Sequence, residues 1–240
     1  MFENLARFEP LIPTVAPVNL ADLDHGLRFY QDQRIEVWFS PMGELIRDAK
    51  LWILGITPGW RQMQIAYSAA ADALGKGQSR TDAVAQSKPN VAFAGTMRSN
   101  LVAMMDQIGF PESFAVQSSR ELFGSPLLRT GSVLKYPVFR GGKNYTGATP
   151  QATKHPVLME MIELVLRNEI RATSDCLILP LGESVERVLD HVVQARALDD
   201  KRILRGLPHP SGANGHRHRL FAEHKHALRR SVLAWYTHGA

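Results

Sequence analysis

The chain has one cysteine, Cys176, which excludes an internal disulfide and any zinc or iron–sulfur site built from several thiolates of this chain. Long hydrophobic runs are also missing. The longest apolar stretches, such as Cys176 to Leu181, fall far short of the roughly 20 residues that span a bilayer. Met1, Phe2, Glu3 and Asn4 lack the basic start and apolar core of a secretory signal. A cytoplasmic protein with no membrane partner is expected. There is no GxGxxG, and Gly141-Gly142-Lys143-Asn144 lacks the leading Gly and following Ser/Thr of a phosphate-binding P-loop. Gly182-Glu183-Ser184-Val185-Glu186 lacks the final Gly of a nucleophile elbow, so Ser184 reads as a helix N-cap. No HExxH occurs. On a helix, residues two apart diverge by about 200°, so His224 and His226 cannot share a ligand. With His216 and His218 they read as solvated side chains, and neither metal nor cofactor is expected.

What is present suffices for a large core. The 240 residues are 45% hydrophobic, with 21% charged, 18 Gly and 14 Pro, which excludes a disordered or collagen-like chain. The formal charge of +5 is uneven. Between Lys201 and Arg230 stand Lys201, Arg202, Arg205, Arg217, Arg219, Lys225, Arg229 and Arg230 against one acid, Glu223. Such a segment is either a solvated basic helix face or a surface for a polyanion, whose counterions Lys and Arg release.

Short apolar runs alternate with amphipathic stretches. Leu51 to Ile56, Gly131 to Val138, Cys176 to Leu181 and Arg202 to Leu207 read as strands. Helical spacing is read over Met97 to Ile108, Pro156 to Ile170, from Glu183 onward, and from Arg217 to Trp235. The alternation predicts a single α/β domain over 1–240: an α/β/α sandwich around a central, mostly parallel four-stranded sheet. Its core covers about 50–236, with residues 1–49 packed on it and a helical insertion from Gln62 to Asn90. Ligands of such sheets bind beyond the carboxyl ends of the strands. That singles out Thr57–Trp60, Val138–Thr149, Gly182 and Pro208–Gly215. His209, between two prolines, sits on a stiff loop there.

Here the chain resembles the uracil-DNA glycosylase superfamily. Gly55–Gly59 matches its GxxPG-type motif after the first core strand, and His209–Ser211 its HPS motif after the last. Between them, Val91-Ala92-Phe93-Ala94-Gly95 with Gln107-Ile108-Gly109-Phe110 looks like the segment whose Phe stacks on the flipped base. Ser132-Val133-Leu134-Lys135 with Lys143-Asn144, and the stretch ending Leu177-Ile178-Leu179-Pro180-Leu181-Gly182, resemble the iron–sulfur branch. That branch holds its cluster with four cysteines, so none is carried over. The similarity covers roughly residues 50 to 221, its motifs in the family's order.

The resemblance implies removal of uracil from DNA by hydrolysis of the N-glycosidic bond, on a base flipped out of the duplex, by a monomer acting in DNA repair. His209 would hydrogen-bond the departing base. Thr57, or Ile56 in a shifted register, stands where the family often has Asp, Glu or Asn, and Thr orients water without acting as a base. Gly55, Ile56, Pro58, Gly59, Phe93, Ser132 and Asn144 would form the base pocket, with Ser132 replacing an Asn that reads the uracil edge. Lys135, Ser211, Gly212, Ala213, Asn214, Arg217 and Arg219 would meet DNA, with Leu220 or Phe221 as a wedge. Two other readings accompany it: a non-catalytic module binding damaged DNA, and a glycosylase for another deaminated base such as hypoxanthine.

Overall fold

Five consecutive buried residues, Leu51 to Gly55, form the middle strand of a parallel sheet, as expected of a strand covered on both faces. The computed structural model describes residues 2, 5–41, 48–86, 93, 95–173, 175–212 and 214–238. In chain order the elements are β1 (Arg28–Gln31), β2 (Glu36–Trp38), β3 (Leu51–Gly55), α1 (Trp60–Gly75), α2 (Arg80–Gln86), α3 (Thr96–Gln107), α4 (Phe110–Phe114), β4 (Leu128–Ser132), β5 (Val138–Arg140), β6 (Lys143–Asn144), α5 (Pro156–Met161), α6 (Arg167–Arg171), β7 (Leu177–Pro180), α7 (Glu183–Gln194) and α8 (Arg217–His238). A π-helical turn, Ile162–Leu166, joins α5 to α6. Leu158, Ile162, Leu166 and Ile170 are all buried. Steps of four drift around a regular helix of 3.6 residues per turn, and the wider π turn offsets that drift.

The chain gathers into two compact units, one of Met1–Leu45, Ile56–Val91 and Ser132–Glu169, the other of Ile46–Gly55, Ala92–Gly131 and Ile170–Ala240. In the second, the sheet order is β4-β3-β7. β3 runs parallel to β7, pairing Leu51 with Leu177 and Leu54 with Pro180. Leu51, Ile53, Leu177 and Leu179 join Leu101, Met105, Ile108, Leu128, Leu204 and Leu228 in one apolar cluster. Cys176, just before β7, is fully buried, and burial pushes its thiol up to about 11 despite Arg202, Arg129 and Lys50 nearby.

The first unit holds an antiparallel sheet of order β1-β2-β5-β6. Its core is aromatic. Phe8 stacks on Phe39 with ring centres 4.8 Å apart, Phe29 lies 4.7 Å from Tyr136, and the buried Tyr67 hydroxyl donates to Phe39 O at 2.8 Å.

The mixed α/β class is as expected, but the single four-stranded parallel sheet is not. The segment Gly131 to Val138 does not continue as one strand. β4 stops at Ser132, and the chain re-enters a sheet at Val138, antiparallel to β2. Pro137, which has no N–H to offer a ladder, lies at the break. The Arg202–Leu207 segment contributes only one bridge, Ile203 beside Ile178, because a 3₁₀ turn at Asp200–Arg202 and a left-handed Gly206 (φ 91°) flank it. Ser184 is not the cap of α7 either; Gly182 is, at φ 90°. No helix among the described residues is long and apolar enough to cross a membrane.

The sheet of the second unit is tightest at Gly131. A methyl group there would lie 2.9 Å from Nε1 of Trp52, a fully buried indole whose ring carries the Arg129 guanidinium 3.7 Å from its centre. Gly131→Ala is therefore expected to destabilise the fold by about 1–3 kcal/mol, as overpacking does. Urea unfolding checks this; an unchanged midpoint would mean that the indole shifts freely.

Candidate functional site

In the second unit, the loop after Leu207 carries His209. Flanking prolines limit its backbone, and side chains from two helices hold it. Asn100 of α3 donates from Nδ2 to Pro210 O at 2.9 Å. Arg217, which begins α8, donates from one Nη to Pro210 O at 3.3 Å and to Ser211 O at 2.8 Å. Asn214 Nδ2 donates to His209 O at 3.2 Å. On the imidazole's side stands Gly182: a methyl group there would lie 3.2 Å from His209 Cβ and 3.4 Å from Cδ2. Any L residue at Gly182 is doubly opposed, by that contact and by the positive φ.

The Ser211 N–H donates to His209 Nδ1 at 3.2 Å. An Nδ1 that accepts a hydrogen bond bears no proton in the neutral ring, so the proton resides on Nε2. Burial holds the imidazole below its ordinary value of 6.5, because a low-dielectric site disfavours the cation. His209 at neutral pH is thus an uncharged N–H donor with one defined tautomer.

In the first unit, the corner after Ile56 is held just as firmly. The Thr57 hydroxyl donates to Tyr136 O and accepts from Val138 N–H, each at 3.0 Å, and Leu134 N–H donates to Ile56 O at 3.0 Å. Pro58 is buried. Gly59 N–H donates to Gln62 Oε1 at 3.0 Å and Trp60 N–H to Asn144 Oδ1 at 2.8 Å. A methyl group at Gly59 would meet the Asn144 amide at 3.1 Å. Neutral amide oxygens therefore cap the start of α1.

Of the residues expected from the sequence, the structure brings together Thr57, Pro58, Gly59 and Asn144 in the first unit, and His209, Ser211, Asn214 and Arg217 in the second. Gly55 ends β3, and Ser132 ends β4 half-buried. Lys135 is paired with Glu169 at 2.8 Å, and Arg219 with Glu223 at 3.2 Å. Phe93 is 9% exposed, at φ 59°, in the apolar cluster of the second unit. Phe221 belongs to the same cluster and is a core residue rather than a wedge. Gly212 has open space around it; Ala213 lies outside the described residues. Sequence reasoning missed Asn100, and it missed that the Arg217 guanidinium, read as a phosphate ligand, braces the loop through Pro210 O and Ser211 O. It also missed the packing of Gly182 on His209, for which a glycine between a strand and a helix was the available signal. An open cleft of about 520 Å³ in the second unit, lined in part by Ile170, Val193, Leu198 and Arg202, contains none of the expected residues.

No protein-family model and no solved structure matches this chain. The uncharacterized protein YoxB of Bacillus subtilis is 40% identical to it over 217 residues, which cover 89% of this chain and 85% of that one. Similarity at that level along nearly the whole of both chains means that the protein belongs to the family of YoxB.

Proposed function

We propose that this protein is a monofunctional DNA glycosylase that removes uracil, flipping it from DNA and hydrolysing its bond to the sugar. The observation that carries the reading is the hydrogen bond from Ser211 N–H to His209 Nδ1, which leaves Nε2–H as a fixed neutral donor on a braced loop. When the glycosidic bond breaks, negative charge develops on the uracil oxygen and positive charge on the sugar. A donor held in place for that oxygen is worth roughly 3–4 kcal/mol at the transition state. Water then adds hydroxide to the sugar carbon, its other proton going to the departed base.

The Thr57 hydroxyl has its proton committed to Tyr136 O and one lone pair committed to Val138 N–H. Its remaining lone pair accepts a hydrogen bond from water without removing a proton. A threonine supplies no general base, so the reading takes departure of the base ahead of attack rather than base-driven attack. The burial of Phe93 shifts the weight of base recognition from stacking to hydrogen bonding. Lys135 is engaged by Glu169 at 2.8 Å, which ties up its amine, in keeping with a reaction that ends at the abasic site. The same commitments of Thr57 favour a second reading, a module that binds damaged DNA without turnover.

Release of uracil from a labelled oligonucleotide separates these. Free base and an abasic product are expected; binding without release supports the second reading, and release of hypoxanthine instead reassigns the substrate. His209→Ala should lower the excision rate by roughly 100- to 1,000-fold, the usual cost of a lost oxyanion donor, and an unchanged rate removes His209 from the chemistry. Gly182→Ala should lower the same rate by forcing His209 aside, with far-ultraviolet circular dichroism unchanged.

The pH dependence follows from the depressed imidazole. His209 binds its proton less readily folded than unfolded, so its contribution to stability is complete above pH 6.5 and lost as pH falls below it. Excision should hold constant through pH 6.5 and decline only further down, where the buried ring takes up its second proton, and thermal unfolding of His209→Phe should lose part of the wild-type acid sensitivity. Excision that keeps rising as the ring gains its second proton would contradict the neutral-donor role.

A further inference from the structure

In the first unit, the turn between β5 and β6 carries charges that oppose the local rules of stability. Gly141 and Gly142 both have positive φ, 55° and 71°, the backbone of the two-residue hairpin turn that matches strand twist. The residues flanking it, Arg140 and Lys143, are direct cross-strand partners and both exposed. Like charges in that relation repel, whereas a cation opposite an anion would stabilise the hairpin. β6 is an edge strand, and charged side chains do protect edges from pairing with other chains. One charge of each sign would protect it equally well and without repulsion.

The neighbouring helix repeats the pattern. Asn144, the residue after Lys143, is joined to the first residue of α1 by its bond from Trp60 N–H. The next residue, Arg61, is exposed, and the first turn of α1 contains no acid. A helix start favours anions and disfavours cations. Both capped N–H groups there use the neutral amides of Gln62 and Asn144, where a carboxylate would have cancelled the local positive charge. Among the described residues Arg61, Arg140 and Lys143 have no acidic partner. Nothing lies within 4 Å of where side chains would start at Gly141 or Gly142, so the tip stands clear of the protein.

We propose that Arg140, Lys143 and Arg61 form a clamp for the phosphodiester backbone of DNA, with the glycine turn allowing close approach of the strand. The choice of DNA as the polyanion rests on the glycosylase reading; the clamp itself rests on the unpaired cations. Phosphate groups convert the repulsion at the tip into attraction on binding. Because the contacts are to backbone, they carry affinity and register rather than base choice.

The test is fluorescence anisotropy with uracil-free duplex and single-stranded oligonucleotides over a range of salt concentrations. Arg140→Gln combined with Lys143→Gln should flatten the plot of log affinity against log salt by about 2, near one per lost phosphate contact. Lys143→Glu restores an unlike pair across the hairpin. It should raise or preserve the melting temperature while weakening binding, a combination that edge protection alone does not produce. Unchanged salt slopes in both variants, or loss of binding to phosphatidylserine vesicles with DNA binding intact, would overturn the clamp. If the wild-type protein releases uracil while the slopes stay unchanged, only the clamp falls. If the slopes change and no base is released, the clamp stands and the glycosylase reading falls.

Discussion

The hydrogen bond that Ser211 donates to the ring of His209 constrains the chemistry of the second unit more than any other contact. It sets which ring nitrogen carries the proton, and its donor is a backbone N–H, fixed by the path of the loop. Its geometry in turn depends on the path of the loop. That path is held from outside by Asn100 and Arg217 and from beneath by the absence of a side chain at Gly182. Burial then keeps the ring uncharged. Tautomer, orientation and charge state are thus set by separate elements, and a defect in any of them reaches the same atom.

The other unit uses its polar groups differently. At the corner from Ile56 to Trp60, hydroxyl and amide side chains satisfy backbone groups that no sheet or helix reaches. Thr57 fills in for a missing ladder bond between the corner and Val138. Asn144 fastens a short edge strand to a helix start. These are structural duties, and they limit what the same atoms can offer a ligand. A threonine here contributes position and at most one lone pair, which is why the reaction proposed needs no base from this loop.

Much of this was legible in the residues. Leu51-Trp52-Ile53-Leu54 is apolar at successive positions, and such a run specifies a doubly covered strand. Leu177-Ile178-Leu179-Pro180 reads the same way, and the helices following Gly95, His155 and Gly182 start within a residue or two of where their spacing and punctuation put them. The antiparallel sheet was not legible. Its strands are two to four residues long, too short for alternation to register, and β2 pairs with β5 about a hundred residues further on. Gly131 to Val138 was misread because apolar character was allowed to outweigh Pro137. In the candidate site the prolines and glycines marked the loops correctly. Among the donors that hold the His209 loop, Asn100 comes from a distant element and leaves no trace in the local sequence. The bracing role of Arg217 was hidden for a related reason: charge alone does not tell whether a guanidinium turns back on its own loop.

Cys176 has a practical consequence. The chain's sole thiol is enclosed at the start of β7, and its ionisation is displaced so far upward that almost no thiolate exists at neutral pH. Alkylating reagents will pass it by while the fold is intact. A cysteine placed anywhere on the exterior can therefore carry a fluorophore or spin label with single-site selectivity, the native residue left in place, so that distances across the molecule become measurable in solution.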